Sequence, residues 1–144
     1  MNLVDVHCHI YHDSLKDQFE QILERSKDAG VKVIMLSGVN PEGNKVVLDL
    51  VKKYDILKAS LGIYPIDALG LTPDATGLPH HKGKIDLDEQ FKFIEDNIEH
   101  VTAIGEVGMD FHWATKEATY DEQAANFRKI IQFAKKVKKP IVIH

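Results

Sequence analysis

The 144-residue sequence predicts an α/β fold built on a parallel sheet, and three observations predict it. Short runs rich in Val, Ile and Leu alternate with longer stripes of helical period. The short runs lack polar alternation, as strands buried on both faces should. Capping signals, Gly or Pro punctuate the joins between runs and stripes. Strand-helix-strand units in one sheet are parallel with right-handed crossovers, which leaves two architectures, a doubly wound sheet or part of a (βα) barrel.

The first strand runs from Leu3 to His7. Leu15, Phe19, Ile22, Leu23 and Ala29 then mark one helical face, and Gly30 supplies the stop. Val31 to Ser37 is the second strand. Asn40-Pro41-Glu42, an N-cap followed by Pro at the first helical position, opens a helix that turns Val46, Val47, Leu50 and Val51 inward and ends near Tyr54. Leu57 to Ile63 is the third strand. Asp86 with Glu89, and Thr119 with Glu122, have the spacing of a capping residue and its return partner, and start the third and fourth helices. Thr102 to Glu106 is the fourth strand and Ile141 to His144 the fifth, entered through Pro140. The helix between them buries Phe127, Ile130, Ile131, Ala134 and Val137. Residues 1–144 thus read as one domain of five strands and four helices, without repeats or linkers.

A content of 44% hydrophobic and 28% charged residues excludes disordered, collagenous and low-complexity classes. The lone Cys8 has no intrachain partner, which excludes a disulfide scaffold and points to a reducing, cytoplasmic setting. The N-terminus lacks the basic start and apolar run of a signal peptide, and no apolar stretch approaches the ~18 residues of a membrane span. A net charge of −4 argues against coating nucleic acid by charge alone. It leaves open a nuclease whose metal ions bring the positive charge with them.

In both architectures ligands bind at the carboxyl ends of the strands. His7 and His9 stand there two residues apart, and the period of two in an extended chain aims both at one face, where they can share a metal. Asp5 shares that face; Cys8 points the other way, into the core. Glu106 ends the fourth strand between small neighbours, and a carboxylate there is able to bridge two cations. His144 ends the fifth. Each has a plain reading by itself: satisfied histidines, a loop carboxylate, a frayed terminus. Their convergence at one end of consecutive parallel strands favours metal binding. Imidazole and carboxylate ligands suit Zn²⁺ or Mn²⁺, and Mg²⁺ less readily.

Val4-Asp5-Val6-His7-Cys8-His9, Leu61-Gly62-Ile63-Tyr64-Pro65, Ala103-Ile104-Gly105-Glu106-Val107-Gly108-Met109-Asp110-Phe111 and Pro140-Ile141-Val142-Ile143-His144 resemble the TatD family of metal-dependent deoxyribonucleases. Gln123, Phe127 and Ala134 are similar to one of the family's helices. The resemblance implies a (βα)8 barrel of TIM type that hydrolyses the phosphodiester bonds of DNA with two divalent metal ions. It assigns the ligand roles to His7, His9, Glu106 and His144, with Glu106 the catalytic bridge, and makes Asp110 a site-shaping residue near the substrate. Tyr64 stands where the family commonly has a histidine, and its hydroxyl is expected to replace that donor toward substrate. Phe111, His112 and Trp113 follow on the same rim, where they are placed to contact or stack on a base. A barrel of this kind takes ~250 residues, so about five of its eight strands are expected here. An incomplete barrel exposes strand edges, to be covered by the missing C-terminal strands or by self-association. The isolated chain is expected to bind metal weakly and turn over little.

Two other classes remain open. An amidohydrolase acting on small molecules accounts for His7 and His9, although many such enzymes carry a carboxylated lysine where Glu106 stands. A non-catalytic metal-binding fragment accounts for all four ligands. His80, His81, Lys82 and Lys84 fall in a long loop on the site face, whereas Lys135, Lys136, Lys138 and Lys139 close the last helix at the opposite end.

Overall fold

The computed structural model describes residues 2–73 and 76–144. Its strands β1 (Leu3–Cys8), β2 (Val31–Ser37), β3 (Leu57–Leu61), β4 (Val101–Val107) and β5 (Ile141–Ile143) pair in parallel in the order of the sequence. A doubly wound sheet reverses its strand order at a switch point. An unbroken order with right-handed crossovers keeps winding one way and lays the helices on one face, which is the wall of a (βα) barrel. The five strands make a curled half-barrel.

The covering helices are α1 (Phe19–Asp28), α2 (Pro41–Val51), α3 (Pro65–Leu69), α4 (Leu87–Asp96) and α5 (Lys116–Val137). Between helices and sheet lies one main core, in which Leu36, Leu57, Leu61 and Val107 of the strands meet Leu23, Val47, Ile94 and Phe133 of the helices. Phe91 and Phe133 stack with ring centroids 4.4 Å apart and join α4 to α5. The edge strands differ: Val4, Val6 and Ile143 are 57%, 62% and 64% exposed.

Two helix starts behave as their sequence signals require. The Asn40 side chain accepts from Gly43 N at 2.9 Å with Pro41 in the first turn, and Asp86 Oδ1 accepts from Asp88 N and Glu89 N. The start expected at Thr119 is wrong. Helix α5 begins at Lys116, one turn earlier, and Thr119 is buried inside it, with its hydroxyl donating to Thr115 O at 2.8 Å. A mid-helix threonine bonded back to the preceding turn leaves the same sequence trace as a cap.

Among the described residues there are also five α-helices rather than four. The extra one, α3, is a single turn between Pro65 at its first position and Gly70, whose φ of 69° provides the left-handed stop. It takes Ile63 out of the third strand, which ends at Leu61. The first helix starts at Phe19 after a short 3-10 turn, Lys16–Gln18, and α2 stops at Val51, short of Tyr54.

A candidate metal centre at the carboxyl ends of the strands

Strands β1 and β4 are three inter-strand steps apart, which in a flat sheet is ~14 Å. Curling removes that distance on the concave side. There, His7 Nε2 lies 3.0 Å and His9 Nε2 3.1 Å from Glu106 Oε2, and the two nitrogens are 3.2 Å from each other. Glycines make the curl possible. A Cβ on Gly62, just past β3, would sit 2.5 Å from the Gly105 carbonyl carbon, and one on Gly105 would meet Val142 Cβ and O at 2.7 Å and Ser60 Oγ at 2.8 Å, so the strands come this close only where both positions lack side chains.

The triangle of donors has the dimensions of a coordination shell. Ligands ~2.05 Å from a cation lie about 2.9 Å apart in an octahedral arrangement and about 3.3 Å apart in a tetrahedral one. Hydrogen bonding alone serves the set poorly, because two imidazole nitrogens turned toward one carboxylate oxygen also crowd each other. Among the described residues, His7, His9 and Glu106 form a group that could hold a metal ion, with their ligand atoms all within 4.8 Å of one another.

Glu106 is 6% exposed. Burial opposes its charge, but hydrogen bonds from His9 and His144 and the charges of His7 and His9 outweigh it and hold the carboxyl at about 2. Its other oxygen, Oε1, is 2.5 Å from His144 Nδ1. His144 therefore stands outside the triangle, on the far side of the same carboxylate. The two oxygens of Glu106 face different histidines.

Around these ligands lies a ring of supports. Tyr11 Oη donates to Ser37 O at 2.7 Å and sets its ring edge-on to His9; burial and the nearby Glu106 push the phenol up. Asp110 is buried, and each of its groups is occupied. Its Oδ1 accepts from the amides of His112 and Trp113, its Oδ2 accepts from the Tyr64 hydroxyl and lies 3.1 Å from His144 Nε2. The Gln123 amide bonds both the N–H and the carbonyl of Asp110 at 2.7 Å. Burial opposes the Asp110 charge, yet the Tyr64 and amide hydrogen bonds keep its carboxyl below the usual range.

A cleft of about 410 Å³ opens beside the ligands, bounded by His9, Tyr64, Glu106, Asn40, Asp67 and Trp113 together with the loop at Leu78 and Pro79. Asn40, the cap of α2, also organises this wall: its Nδ2 donates at 2.6 Å to both Asp67 Oδ2 and Pro79 O. Burial raises the Asp67 carboxyl, against the hydrogen bonds from Thr72 and Asn40.

The remaining site residues distribute unevenly. Trp113 reaches the cleft, whereas His112 packs edge-on against Trp113 from outside it and Phe111 stacks on Tyr120. His81 pairs with Glu42 at 3.0 Å and Lys84 with Glu122. At the other end of the fold Lys136 pairs with Glu95. Cys8 packs against the core and burial pushes its thiol up to about 12. Sequence reasoning missed Tyr11 and Asp67 altogether, and read Asn40 only as a cap. Tyr11 lies two residues beyond His9 but in a turn past the end of β1, so strand alternation carried no signal for it.

A family profile described as TatD related DNase matches residues 4–144. YabD of Bacillus subtilis, named an uncharacterized metal-dependent hydrolase, is 30% identical over 144 residues, covering 99% of this chain and 50% of YabD. The deoxyribonuclease Tat-D of Schizosaccharomyces pombe is 29% identical over 143 residues, covering 94% of this chain and 43% of that protein. In three dimensions the chain resembles the crystal structure of YjjV, a TatD homolog from Escherichia coli K12, with a TM-score of 0.79 at 25% identity over 99% of this chain and 50% of that one. The chain spans about half the length of the curated relatives it matches. Among the described residues no helix is long and apolar enough to cross a membrane.

Proposed function

The chain belongs to the TatD-related DNase family, and from that premise we propose that it forms the first five strands of a metal-dependent phosphodiesterase acting on DNA. The observation that carries the reading is the division of Glu106, Oε2 toward His7 and His9 and Oε1 toward His144. A carboxylate with different nitrogen partners on its two oxygens suits a bridge between two cations. His7, His9 and Oε2 would hold one, and Oε1 with His144 the other, with Zn²⁺, Mn²⁺ or Mg²⁺ as the candidates. Such ions, when bound, supply a water of lowered pKa and charge to offset the phosphate oxygens.

The protein's own contribution is placement. Glu106 arrives charged because its histidine contacts outweigh burial, so no proton has to leave before it serves as a ligand. The cleft is roomy enough for a nucleotide unit, and Trp113 offers an exposed ring at its edge for a base to stack on. His112 backs that ring, and Asp110 orders the turn that presents it through the amides of His112 and Trp113.

The test is hydrolysis of a labelled single-stranded oligonucleotide with Mn²⁺, by the chain alone and within a complete barrel. Cleavage by the complete form that falls at least ~100-fold in Glu106→Ala supports the reading, since such a ligand is worth several kcal/mol. Hydrolysis of amide substrates with DNA left intact overturns the substrate assignment. Metal binding without turnover of either overturns the enzymatic one.

A further inference from the structure

Resting on the DNA reading of the cleft, we infer that Phe111 and Tyr120, with Lys116 over their rings, form an outer stacking step that holds the neighbour of the nucleotide stacked at Trp113. Among the described residues the exposed aromatic side chains are Phe111, Trp113 and Tyr120, at 38%, 59% and 43%. All three stand between positions 111 and 120, on the rim that follows Glu106. Single apolar side chains scattered over a surface need no explanation, but three rings gathered beside a cleft mark a place where something binds.

The rim is built in two steps. Asp110 Oδ1 accepts from the amides of His112 and Trp113, and the turn so ordered brings Trp113 to the cleft. Phe111 pairs instead with Tyr120 of α5, their ring centroids 6.1 Å apart and their planes 19° from parallel. Cα atoms two residues apart are separated by at most ~7 Å, and nucleotides of one strand follow every ~3.4 Å when stacked and farther when splayed. A neighbouring nucleotide therefore reaches the second pair of rings. Lys116 Nζ stands 5.9 Å from the Phe111 centroid and 5.6 Å from that of Tyr120. An exposed cation–π contact is worth about 2- to 5-fold in an equilibrium and a stacked base about 5- to 150-fold, so a base takes the rings and releases Lys116 to its phosphate. Glu117 and Asp121 lie close to Lys116 in sequence, so charge adds little here and the rings carry the step. Stacking needs an open base face, which a paired duplex keeps inside its own stack. The occupant is an unpaired strand.

The test uses the 144-residue chain in EDTA, so that stacking is read apart from any metal, with the emission of Trp113, its one tryptophan, as the signal. Wild type, Phe111→Ala, Phe111→Tyr, Tyr120→Ala and Lys116→Met are titrated with thymidylate strands of one, two and four nucleotides, and circular dichroism establishes that each variant folds. The wild type should gain about 5- to 150-fold in affinity as the strand lengthens. Phe111→Ala and Tyr120→Ala should each lose most of that gain, and Phe111→Tyr should keep it. Lys116→Met should flatten the salt dependence by one phosphate contact, ~0.7 in the slope of log K against log salt. Affinity independent of length in the wild type overturns the inference. So does an equal loss for one nucleotide and for four in Phe111→Ala, which would make that ring a prop for Trp113, and so does a duplex bound as tightly as the single strand. A loss seen in this chain but absent from a complete barrel also overturns it, since the remaining strands would then cover the rim. Quenching by no strand, with or without Mn²⁺, sinks the DNA reading and the inference together. Length-dependent binding that needs Phe111, without cleavage by the complete barrel, sinks the enzymatic reading alone.

Discussion

A carboxylate set among three histidines inside a curled sheet stabilises its surroundings only while it is charged. The hydrogen bonds and charges that hold Glu106 at about 2, against 4.5 for an ordinary glutamate, are present in the folded chain and absent from the unfolded one. Its folded value lies below its unfolded value, so its contribution is complete above pH 4.5 and is lost as pH falls toward 2. Urea denaturation of the metal-free protein should accordingly show stability falling across that window, and Glu106→Gln should flatten the fall. An unchanged slope in the variant would assign the acid sensitivity to other groups. Gly62 sets a second residue-level limit. A methyl group there meets the Gly105 backbone at 2.5 Å, so Gly62→Ala should cost ~1–3 kcal/mol or more by overpacking and separate β3 from β4 beneath the ligands. Its denaturation midpoint and its metal affinity should fall together. A variant that loses stability while binding metal normally would show that this contact supports the fold alone.

Helix α2 shows how much one element carries. Asn40 closes its N-terminus through Gly43, and the other end of the same amide ties down Asp67 and Pro79. Losing a cap alone costs ~1–2 kcal/mol, and leaving the buried Asp67 without that donor adds to it, so Asn40→Ala should lose at least ~2 kcal/mol in urea. Asn40→Asp keeps the cap but turns a carboxylate oxygen toward Asp67 Oδ2 and Pro79 O where an amide donor stood, so like-charge repulsion should keep it from recovering even the capping part in full. The cap of α2 was legible because Asn-Pro-Glu has one local meaning, and the clamp was not, because Asp67 and Pro79 are distant in sequence. The start of α5 failed for a related reason. Thr119 works within the helix, bonded to Thr115 O and accepting from Gln123, and a three-residue spacing cannot distinguish that from capping. Helix α3 was missed although Pro65 and Gly70 both signal it, since a single turn leaves no periodic stripe.

At the scale of the molecule, what the sequence made legible is what alternation and strand ends control. His7 and His9 share a face because an extended chain repeats every two residues, and Glu106 and His144 join them because parallel strands end together. The curl was not legible, and it decides which oxygen of Glu106 meets which histidine. The same open curl leaves two outer edges, at β1 and β5, with backbone groups unpaired in the sheet and Val4, Val6 and Ile143 largely exposed. Unpaired parallel edges with apolar side chains recruit further strands. The 144-residue chain by itself should therefore associate as its concentration rises through the micromolar range, where exposed edges of this kind become aggregation-prone. Val6 is the residue to change, because its exposed side chain makes no contribution to the buried core. Val6→Lys places a charge on the edge and should shift association to at least ~10-fold higher concentration, with circular dichroism unchanged. Sedimentation velocity over a dilution series measures the shift. A wild-type chain that stays monomeric at about 100 μM would mean that the edges are already protected by the twist of the half-barrel.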